Sequence, residues 1–411
     1  MGIDLVERWA TALVAEAMTD TRVVFVQGAR QVGKSTLVSR YAQGAGLSPV
    51  VTLDDKATRD AALADPTGFV AGLARPAVLD EVQRAPDLLL AIKDVVDRDT
   101  SPGQFLLTGS SNVRSNRKVK DALTGRMEII TLWPLAQAEI GRRGSFLDTL
   151  LPGAPPTVAD AVIGPDSYAP QVAAGGFPEA MSRQARRRDR WFANYLDTTL
   201  DRDLRDIADA RRLDEMPRLL RLLAAQAAGI VNYAALASRL RISEKTVKAY
   251  IELLETAFVV RRLPAWRPGL APREVHAPKL HLVDTGLLVH LLGAAERRIG
   301  HDDQITGKAL ENFVAMEIVK HADAGEDDLR LYHYHAERDE VDLVAESRTG
   351  DIVGIEVKAS ATPTGHDRRG LERLRDAAGT RFKAGVVIYS GRQTIPLGDR
   401  LWAVPVCGLW T

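Results

Sequence analysis

The chain has 411 residues, of which 45% are apolar and 26% are charged, and its formal net charge is zero. This length exceeds one ordinary hydrophobic core and predicts several globular domains, while the composition excludes a fibrous or disordered chain. Neutral charge excludes a globally basic nucleic-acid binder, and the single cysteine, Cys407, excludes an internal disulfide.

No segment has the length and continuous apolar character of a membrane span. The longest uncharged run of interest, at residues 222–238, contains Gln226 and Asn232. The first residues include the acidic Asp4 instead of a basic segment followed by an apolar one, so no secretory signal is expected. We therefore expect a cytoplasmic protein without a membrane partner.

The first predicted strand, at residues 23–26, leads into a complete phosphate-binding loop pattern, G-x-x-x-x-G-K-[ST]. The residues of this octet are Gly28, Ala29, Arg30, Gln31, Val32, Gly33, Lys34 and Ser35. Glycines at both ends let backbone N–H groups face a triphosphate, at the start of a helix whose positive end adds to the attraction. Lys34 can reach the β- and γ-phosphates, and Ser35 offers a hydroxyl to Mg²⁺. The pattern predicts that ATP and Mg²⁺ bind here, with Thr36 beside them; the alternative is a structural glycine turn.

A second buried strand, at residues 77–80, ends in the adjacent acids Asp80 and Glu81. Successive side chains at a strand end diverge, so one acid can serve a metal ion while its neighbour serves the attacking water. We predict that Asp80 holds Mg²⁺ through water and that Glu81 orients and activates the nucleophile. A solvated surface turn is the alternative, which the preceding apolar run disfavours.

A third apolar strand, at residues 105–107, is followed by hydroxyl side chains that include Ser110 and Ser111. Such a hydroxyl could sense the γ-phosphate, and a simple Gly-Ser turn is the alternative. The predicted strands lie near residues 23–27, 50–53, 77–80, 105–108 and 128–132, and they alternate with helical segments. This order predicts an α/β fold with a parallel sheet covered by helices, whose ligands bind at the carboxyl ends of the strands.

A Gly- and Pro-rich stretch at residues 141–170 indicates a connection between compact units. We expect an ATPase core at residues 1–140, then a connector and helical segment at 141–212. A winged-helix-like segment is expected at 213–270, and an α/β domain at 271–411.

The winged-helix prediction rests on two helical segments, at residues 232–237 and 244–251, that are joined by a short turn. Ser243 is a plausible N-cap of the second helix, and residues 258–263 have the strand character of a wing. Residues 217–270 contain nine Lys or Arg and three Glu, an excess of six positive charges. Lys245, Thr246 and Lys248 could therefore face DNA phosphates or base edges. A solvated basic helix face and a protein-binding module are the alternatives.

A second group of charged residues lies near the carboxyl end. Glu311 falls on a predicted helix, Asp342 on a strand at residues 341–344, and Glu356 and Lys358 on a strand at residues 353–358. If these strands pair as a hairpin, Asp342 and Glu356 could hold a divalent cation that polarises a scissile phosphate, with Lys358 supporting the nucleophile or transition state. An exposed charged strand face is the alternative. A metal role for His333 and His335 is disfavoured, since no Cys or third His stands at ligand spacing.

These motifs resemble those of AAA-type P-loop ATPases, and more closely those of an uncharacterised prokaryotic subfamily with a C-terminal domain of unknown function. The likeness covers nearly the whole chain and rests on residues 28–35, 79–83, 107–111, 123–126, 133–135, 175–179, 202–204, 278–280, 283–287 and 310–314. It implies an arginine that neutralises transition-state charge, for which Arg126 is the candidate; the alternative is an arginine paired with a carboxylate. The C-terminal acids with Glu356 and Lys358 look like the PD-(D/E)XK nuclease fold.

Two functions follow as hypotheses. The first is an ATP-hydrolysing, DNA-binding protein in which Glu311, Asp342, Glu356 and Lys358 form a Mg²⁺-dependent nuclease site. The second is a nucleotide-dependent switch or scaffold whose C-terminal domain binds DNA or a protein without cleavage. A homo-oligomer is a possible assembly in either case.

Overall fold

The computed structural model describes residues 6–110, 123–155, 157–200, 204, 214–268, 277–294, 296–325, 327–336 and 339–411. Ser111 lies outside them. These residues form two compact units. The N-terminal unit comprises residues 6–134 with Leu253–Phe258, and the C-terminal unit comprises Leu135–Glu252 and Val259–Thr411. The finer division into four segments stays a prediction.

The N-terminal unit is built on a five-stranded parallel sheet. Its strands are β1 (Val23–Gln27), β2 (Val51–Thr52), β3 (Ala77–Asp80), β4 (Phe105–Gly109) and β5 (Met127–Thr131), in the order β2-β3-β4-β1-β5. Every residue of β1, β3 and β4 is buried, as expected for a parallel sheet covered on both faces. The predicted strands and their parallel arrangement are confirmed.

Helices pack around this sheet and complete its core. They are α1 (Ala10–Asp20), α2 (Lys34–Gly44), α3 (Lys56–Ala64), α4 (Pro66–Ala71) and α5 (Leu88–Arg98). The carboxylate of Asp65 caps α4 by accepting from Gly68 N, and Pro66 occupies the first turn, where its missing N–H costs nothing. Phe25, Ile92 and Phe105 belong to one buried cluster, which fixes the strands whose carboxyl ends face the loops described below.

Further helices among the described residues lie in the C-terminal unit, except that the last turn of the helix Glu244–Thr256 belongs to the N-terminal unit. They are α6 (Gln137–Ile140), α7 (Phe146–Leu150), α8 (Ala169–Ala174), α9 (Pro178–Met181), α10 (Ala185–Thr198), α11 (Met216–Ala225), α12 (Tyr233–Leu240), α13 (Glu244–Thr256), α14 (Thr285–Leu291), α15 (Asp303–Ala324) and α16 (Arg369–Ala378). Helices α12 and α13 occupy the two predicted helical segments. Thr246 N donates to Ser243 Oγ at 3.1 Å, so the predicted N-cap is confirmed. Among the helices that the structure describes, none is both long and apolar enough to cross a membrane.

The described residues of this unit form two sheets. A small one pairs β6 (Val260–Leu263) antiparallel with β7 (Lys279–Leu282). The larger one contains β8 (Arg330–Ala336), β9 (Asp339–Glu346), β10 (Ile352–Lys358), β11 (Phe382–Tyr389), β12 (Ile395–Gly398) and β13 (Leu401–Pro405), in the order β12-β13-β11-β10-β9-β8. Leu343 lies opposite Ile355 in the antiparallel β9–β10 pair, so the predicted hairpin is confirmed. Helix α15, 22 residues long, packs against β7, β9 and β10.

Candidate ATP site and a C-terminal charged cluster

The loop between β1 and α2 has the backbone geometry that its glycines permit. Gly28 has φ +154° and Gly33 has φ +100°, both in the region that favours glycine. A Cβ on Gly28 would lie 2.1 Å from the backbone oxygen of Leu132, which leaves no room for any other residue. The loop ends where α2 begins, so the N–H groups of the first helical turn belong to the predicted phosphate site.

The side chains of this loop divide between core and solvent. Ala29 and Val32 are buried and anchor the loop, whereas Gln31, Ser35 and Thr36 are exposed. Solvent access at the latter positions is what a ligand-binding loop requires.

Lys34 is held against the loop, and its side chain is buried. Its Nζ donates to Gly28 O at 3.0 Å and to Ala29 O at 2.8 Å. The ammonium therefore lies at the amino end of the octet, on the residues that would surround a phosphate tail.

Ser35 and Asp80 come from different motifs and meet at the carboxyl edge of the sheet. Ser35 Oγ lies 3.0 Å from each carboxylate oxygen of Asp80, which also accepts a hydrogen bond from the hydroxyl of Thr108. Burial raises the pKa of Asp80, and the two hydroxyl donors oppose that shift. A hydroxyl and a carboxylate are hard oxygen donors, so this pair fits Mg²⁺, which takes few protein ligands and completes its shell with phosphate and water.

Glu81 is fixed in an unusual conformation directly after β3. Its φ is +60°, and its backbone N–H donates to Thr108 Oγ1 at 3.0 Å. Gln83 Nε2 donates to Glu81 Oε2 and also to Ser110 Oγ, the latter at 2.9 Å. Glu81 and Ser110, which the sequence indicated separately, are thus joined by Gln83. That glutamine stands in the recognised motif at residues 79–83, but its type alone did not indicate this positioning role.

Arg8 is a second residue that sequence reasoning missed. Its guanidinium donates to Val32 O at 2.9 Å and to Trp133 O at 2.7 Å. It therefore ties the phosphate loop to the segment that follows β5. No local sequence pattern predicts this contact, because it joins residues that are far apart in the chain.

Arg126 lies away from the phosphate loop of its own chain. It immediately precedes β5, and its carbonyl accepts from Val23 N at the start of β1, whereas the loop follows the end of β1. A five-residue strand separates these edges by about 16 Å. The guanidinium pairs with the carboxylate of Asp97 and donates to Thr124 O at 3.1 Å. This placement of Arg126 corresponds to the alternative given for it above, an arginine paired with a carboxylate.

The four C-terminal residues predicted from the sequence lie on three elements: Glu311 on α15, Asp342 on β9, and Glu356 and Lys358 on β10. A fifth residue, to which sequence reasoning gave no role, lies beside them. Lys279, on β7, has Nζ 2.8 Å from Glu311 Oε1 and 2.7 Å from Asp342 Oδ1. Asp342 Oδ2 accepts from Val357 N at 2.9 Å. On the next strand, Lys358 Nζ donates to Glu356 Oε1 at 2.7 Å. We refer to Lys279, Glu311, Asp342, Glu356 and Lys358 as the C-terminal charged cluster.

Burial and neighbouring charges shift the pKa values of the acids in this cluster in different directions. Burial raises the pKa of Glu356 to about 8, and Asp342 adds to the shift while Lys358 opposes it. Burial likewise raises the pKa of Glu311. Burial alone would raise the pKa of Asp342, but the charge of Lys279 and several hydrogen bonds overcome it and lower that pKa. Asp342 is therefore the acid that stays ionised beside Lys279.

A lysine ammonium occupies the space between two acids of the cluster. Within the described part of the chain, no group of three or more His, Cys, Asp or Glu side chains is placed to hold a metal ion. An ammonium, that of Lys279, lies between Glu311 and Asp342 instead. The metal roles predicted for Asp342 and Glu356 stay predictions.

The histidines at 333 and 335 do not form a pair of metal ligands. His333 is buried, with Nε2 3.3 Å from Ala277 O, and burial lowers its pKa to about 4. His335 is exposed. Their placement agrees with the interpretation as ordinary histidines.

Family models match three parts of the chain. Residues 20–141 match a model described as an AAA domain. Residues 166–298 and 306–409 match two domains of unknown function, DUF8612 and DUF4143. With its complete phosphate loop and the Ser35–Asp80 contact, the N-terminal unit is an AAA-type P-loop ATPase domain. The predicted resemblance is confirmed at this level, and the nuclease likeness of the C-terminal unit stays a prediction.

Two relatives match nearly the whole chain. They are the uncharacterized proteins Mb2031c of Mycobacterium bovis and Rv2008c of Mycobacterium tuberculosis. Each is 30% identical over 404 residues, which is 98% of this chain and 84% of the relative. The chain belongs to the same protein family as these two mycobacterial proteins.

Solved structures show more distant likenesses. The Walker-type ATPase PABY2304 of Pyrococcus abyssi is 14% identical with a TM-score of 0.41, covering 70% of this chain and 96% of that one. AMPPCP-bound DnaA of Aquifex aeolicus is 16% identical with a TM-score of 0.26, covering 62% and 89%. Both TM-scores lie below 0.5, so neither likeness supports a functional conclusion.

Proposed function

We propose that the N-terminal unit binds ATP with Mg²⁺ and hydrolyses it. The observation that supports this most strongly is the contact of Ser35 with Asp80, 3.0 Å between the hydroxyl and each carboxylate oxygen. The two residues are 45 positions apart, and each ends a motif with its own role in phosphate chemistry. Ser35 would hold Mg²⁺ directly and Asp80 would hold it through water; the ion would neutralise phosphate charge.

The protein groups then have separate tasks. Backbone N–H groups of the loop and of the first turn of α2 bind the phosphate tail, and Lys34 moves its ammonium from the loop carbonyls to the phosphate oxygens. The oxygen of a water molecule attacks the γ-phosphorus while the bond to the bridging oxygen of ADP breaks. Glu81 orients that water and receives its proton, and Gln83 positions the carboxylate. The hydroxyl of Ser110 accepts a hydrogen bond from the same Gln83 amide, and Ser110 stays a candidate γ-phosphate sensor.

Ser35→Ala tests the magnesium part of this proposal. Loss of one metal ligand should raise the Mg²⁺ concentration for half-maximal ATP turnover by about tenfold, equivalent to about 1.4 kcal/mol. Turnover is measured by phosphate release across a Mg²⁺ titration. Ser39→Ala is the matched control, because Ser39 is an exposed serine on the same helix and should give the wild-type curve. Identical Mg²⁺ curves for Ser35→Ala and wild type would contradict the assignment.

We also propose that helix α13 contacts DNA. Lys245 and Lys248 are exposed on this helix, whereas Val247 and Ile251 are buried on its opposite side. The ammonium of Lys248 lies 5.2 Å from the centre of the Tyr233 ring on α12, which orients the charge. An exposed basic face on the second helix of a helix–turn–helix is the arrangement that enters a major groove. Cleavage forms no part of this proposal.

The double variant Lys245→Ala/Lys248→Ala should weaken binding to duplex DNA. It should also make the negative slope of log K against log salt shallower by about two, one for each lost phosphate contact. Fluorescence anisotropy with a labelled duplex at several salt concentrations measures both quantities. Lys56→Ala/Lys383→Ala removes two charges elsewhere and serves as the control. No DNA affinity in the wild type, or equal slopes for the two double variants, would favour the protein-binding switch instead.

A further inference from the structure

The structure assigns Lys279 as the resident cation of the C-terminal charged cluster, in the position where acids of this kind would otherwise hold a divalent metal ion. The Lys279 ammonium takes the place of a metal ion between Glu311 and Asp342, and its removal would open a metal site there. This inference is independent of the ATP proposal, because it concerns a different unit of the chain.

The position of the ammonium is set by the backbone on which it stands. Lys279 begins β7 and lies opposite Leu263 of β6, while Ile230 forms a bridge with it from the other side. The backbone N–H of the next residue, Leu280, donates a hydrogen bond to Gly229 O at 3.1 Å. With strand contacts on both sides, β7 holds the side chain between α15 and β9. The side chain of Lys279 is only 3% exposed, so solvent does not compete for it.

Asp342 and one oxygen of Glu356 are already engaged by hydrogen-bond donors. Both oxygens of Asp342 accept hydrogen bonds, one from Lys279 and the other from Val357 N. Glu356 Oε1 is occupied by Lys358, and its buried Oε2 has no hydrogen-bond partner. A lone unpartnered oxygen is a poor start for a site that needs several oxygen ligands.

Charge repulsion is a second reason why a divalent ion would bind poorly while both lysines are present. A divalent ion placed among these acids would lie beside two ammonium groups, those of Lys279 and Lys358, in a region shielded from water. Like charges repel strongly at low dielectric, whereas one ammonium between Glu311 and Asp342 balances the ionised acid. Removing the Lys279 ammonium would leave Glu311 and Asp342 with space and charge for a metal ion.

Manganese binding tests this assignment, with the full chain, no nucleotide, and electron paramagnetic resonance to count free Mn²⁺. Every protein also contains Asp80→Asn, which removes binding at the ATP site. We expect no Mn²⁺ uptake at the cluster with Lys279 present. Lys279→Ala should take up one Mn²⁺ per chain, with an affinity at least about tenfold above that of any residual uptake by the parent protein, and adding Asp342→Asn should abolish that binding. Lys320→Ala is the matched control, because Lys320 is another buried lysine paired with a carboxylate, that of Glu317.

Two results would overturn the assignment. One is Mn²⁺ uptake with Lys279 in place that Asp342→Asn removes. The other is a folded Lys279→Ala protein, as judged by circular dichroism, that binds no more Mn²⁺ than the Lys320→Ala control. If Lys279→Ala fails to fold, the comparison of the parent protein with Asp342→Asn decides alone: Asp342-dependent uptake overturns the assignment, and its absence supports it.

Discussion

Lys34→Ala should abolish measurable ATP turnover and weaken ATP binding by about 100-fold. The Lys34 ammonium is buried on the loop carbonyls of Gly28 and Ala29, within reach of a phosphate tail. Two charge-assisted hydrogen bonds to phosphate are worth roughly 3 kcal/mol together, which corresponds to the expected loss of affinity. Anisotropy of a fluorescent ATP analogue measures binding, and phosphate release measures turnover.

The control for this variant is Lys56→Ala. Lys56 begins α3 of the same unit, and its side chain is 81% exposed in a surface ion pair with Asp60. Such pairs contribute little, so this variant should behave as wild type. If Lys34→Ala bound and hydrolysed ATP as well as Lys56→Ala does, the loop would not be the ATP site.

Glu81→Gln should lower the rate of hydrolysis by about 10²- to 10⁴-fold, the range typical of losing a general base, while ATP affinity changes little. Glutamine keeps the shape of the side chain but cannot accept the proton of the attacking water. Binding persists because the loop and the Ser35–Asp80 pair are unchanged. Single-turnover phosphate release, started with saturating ATP, isolates the chemical step.

Glu16→Gln is the matched control for that substitution, since Glu16 is exposed on α1 of the same unit. It should hydrolyse ATP at the wild-type rate. A Glu81→Gln protein that turned over as fast as this control would remove Glu81 from the chemistry. The two variants therefore separate nucleotide binding, which depends on Lys34, from hydrolysis, which depends on Glu81.

Much of the N-terminal unit could be predicted from sequence because its signals are local. Each buried strand is a short apolar run, and the residues that follow β1, β3 and β4 share one edge of the sheet. Parallel topology alone therefore predicted that Ser35 and Asp80 would meet. The β9–β10 hairpin was predictable for the same reason, since two apolar strands flank a short turn.

The contacts that sequence reasoning missed join distant residues. Lys279 is 32 positions from Glu311 and 63 from Asp342, and Arg8 is 125 positions from Trp133. No local pattern indicates which lysine fills an acidic cluster or which arginine ties down a loop. The placement of Arg126 differs: it precedes a predicted strand of a parallel sheet, so its location at the edge away from the loop could have been inferred.

The most direct measurement is a crystal structure of the full chain with Mg²⁺ and a non-hydrolysable ATP analogue. We expect the phosphate tail on residues 28–35, Ser35 Oγ about 2.1 Å from Mg²⁺, and Asp80 linked to the ion through a water molecule. A nucleotide bound elsewhere, or a metal ion that contacts neither Ser35 nor a water held by Asp80, would contradict the proposed ATP site.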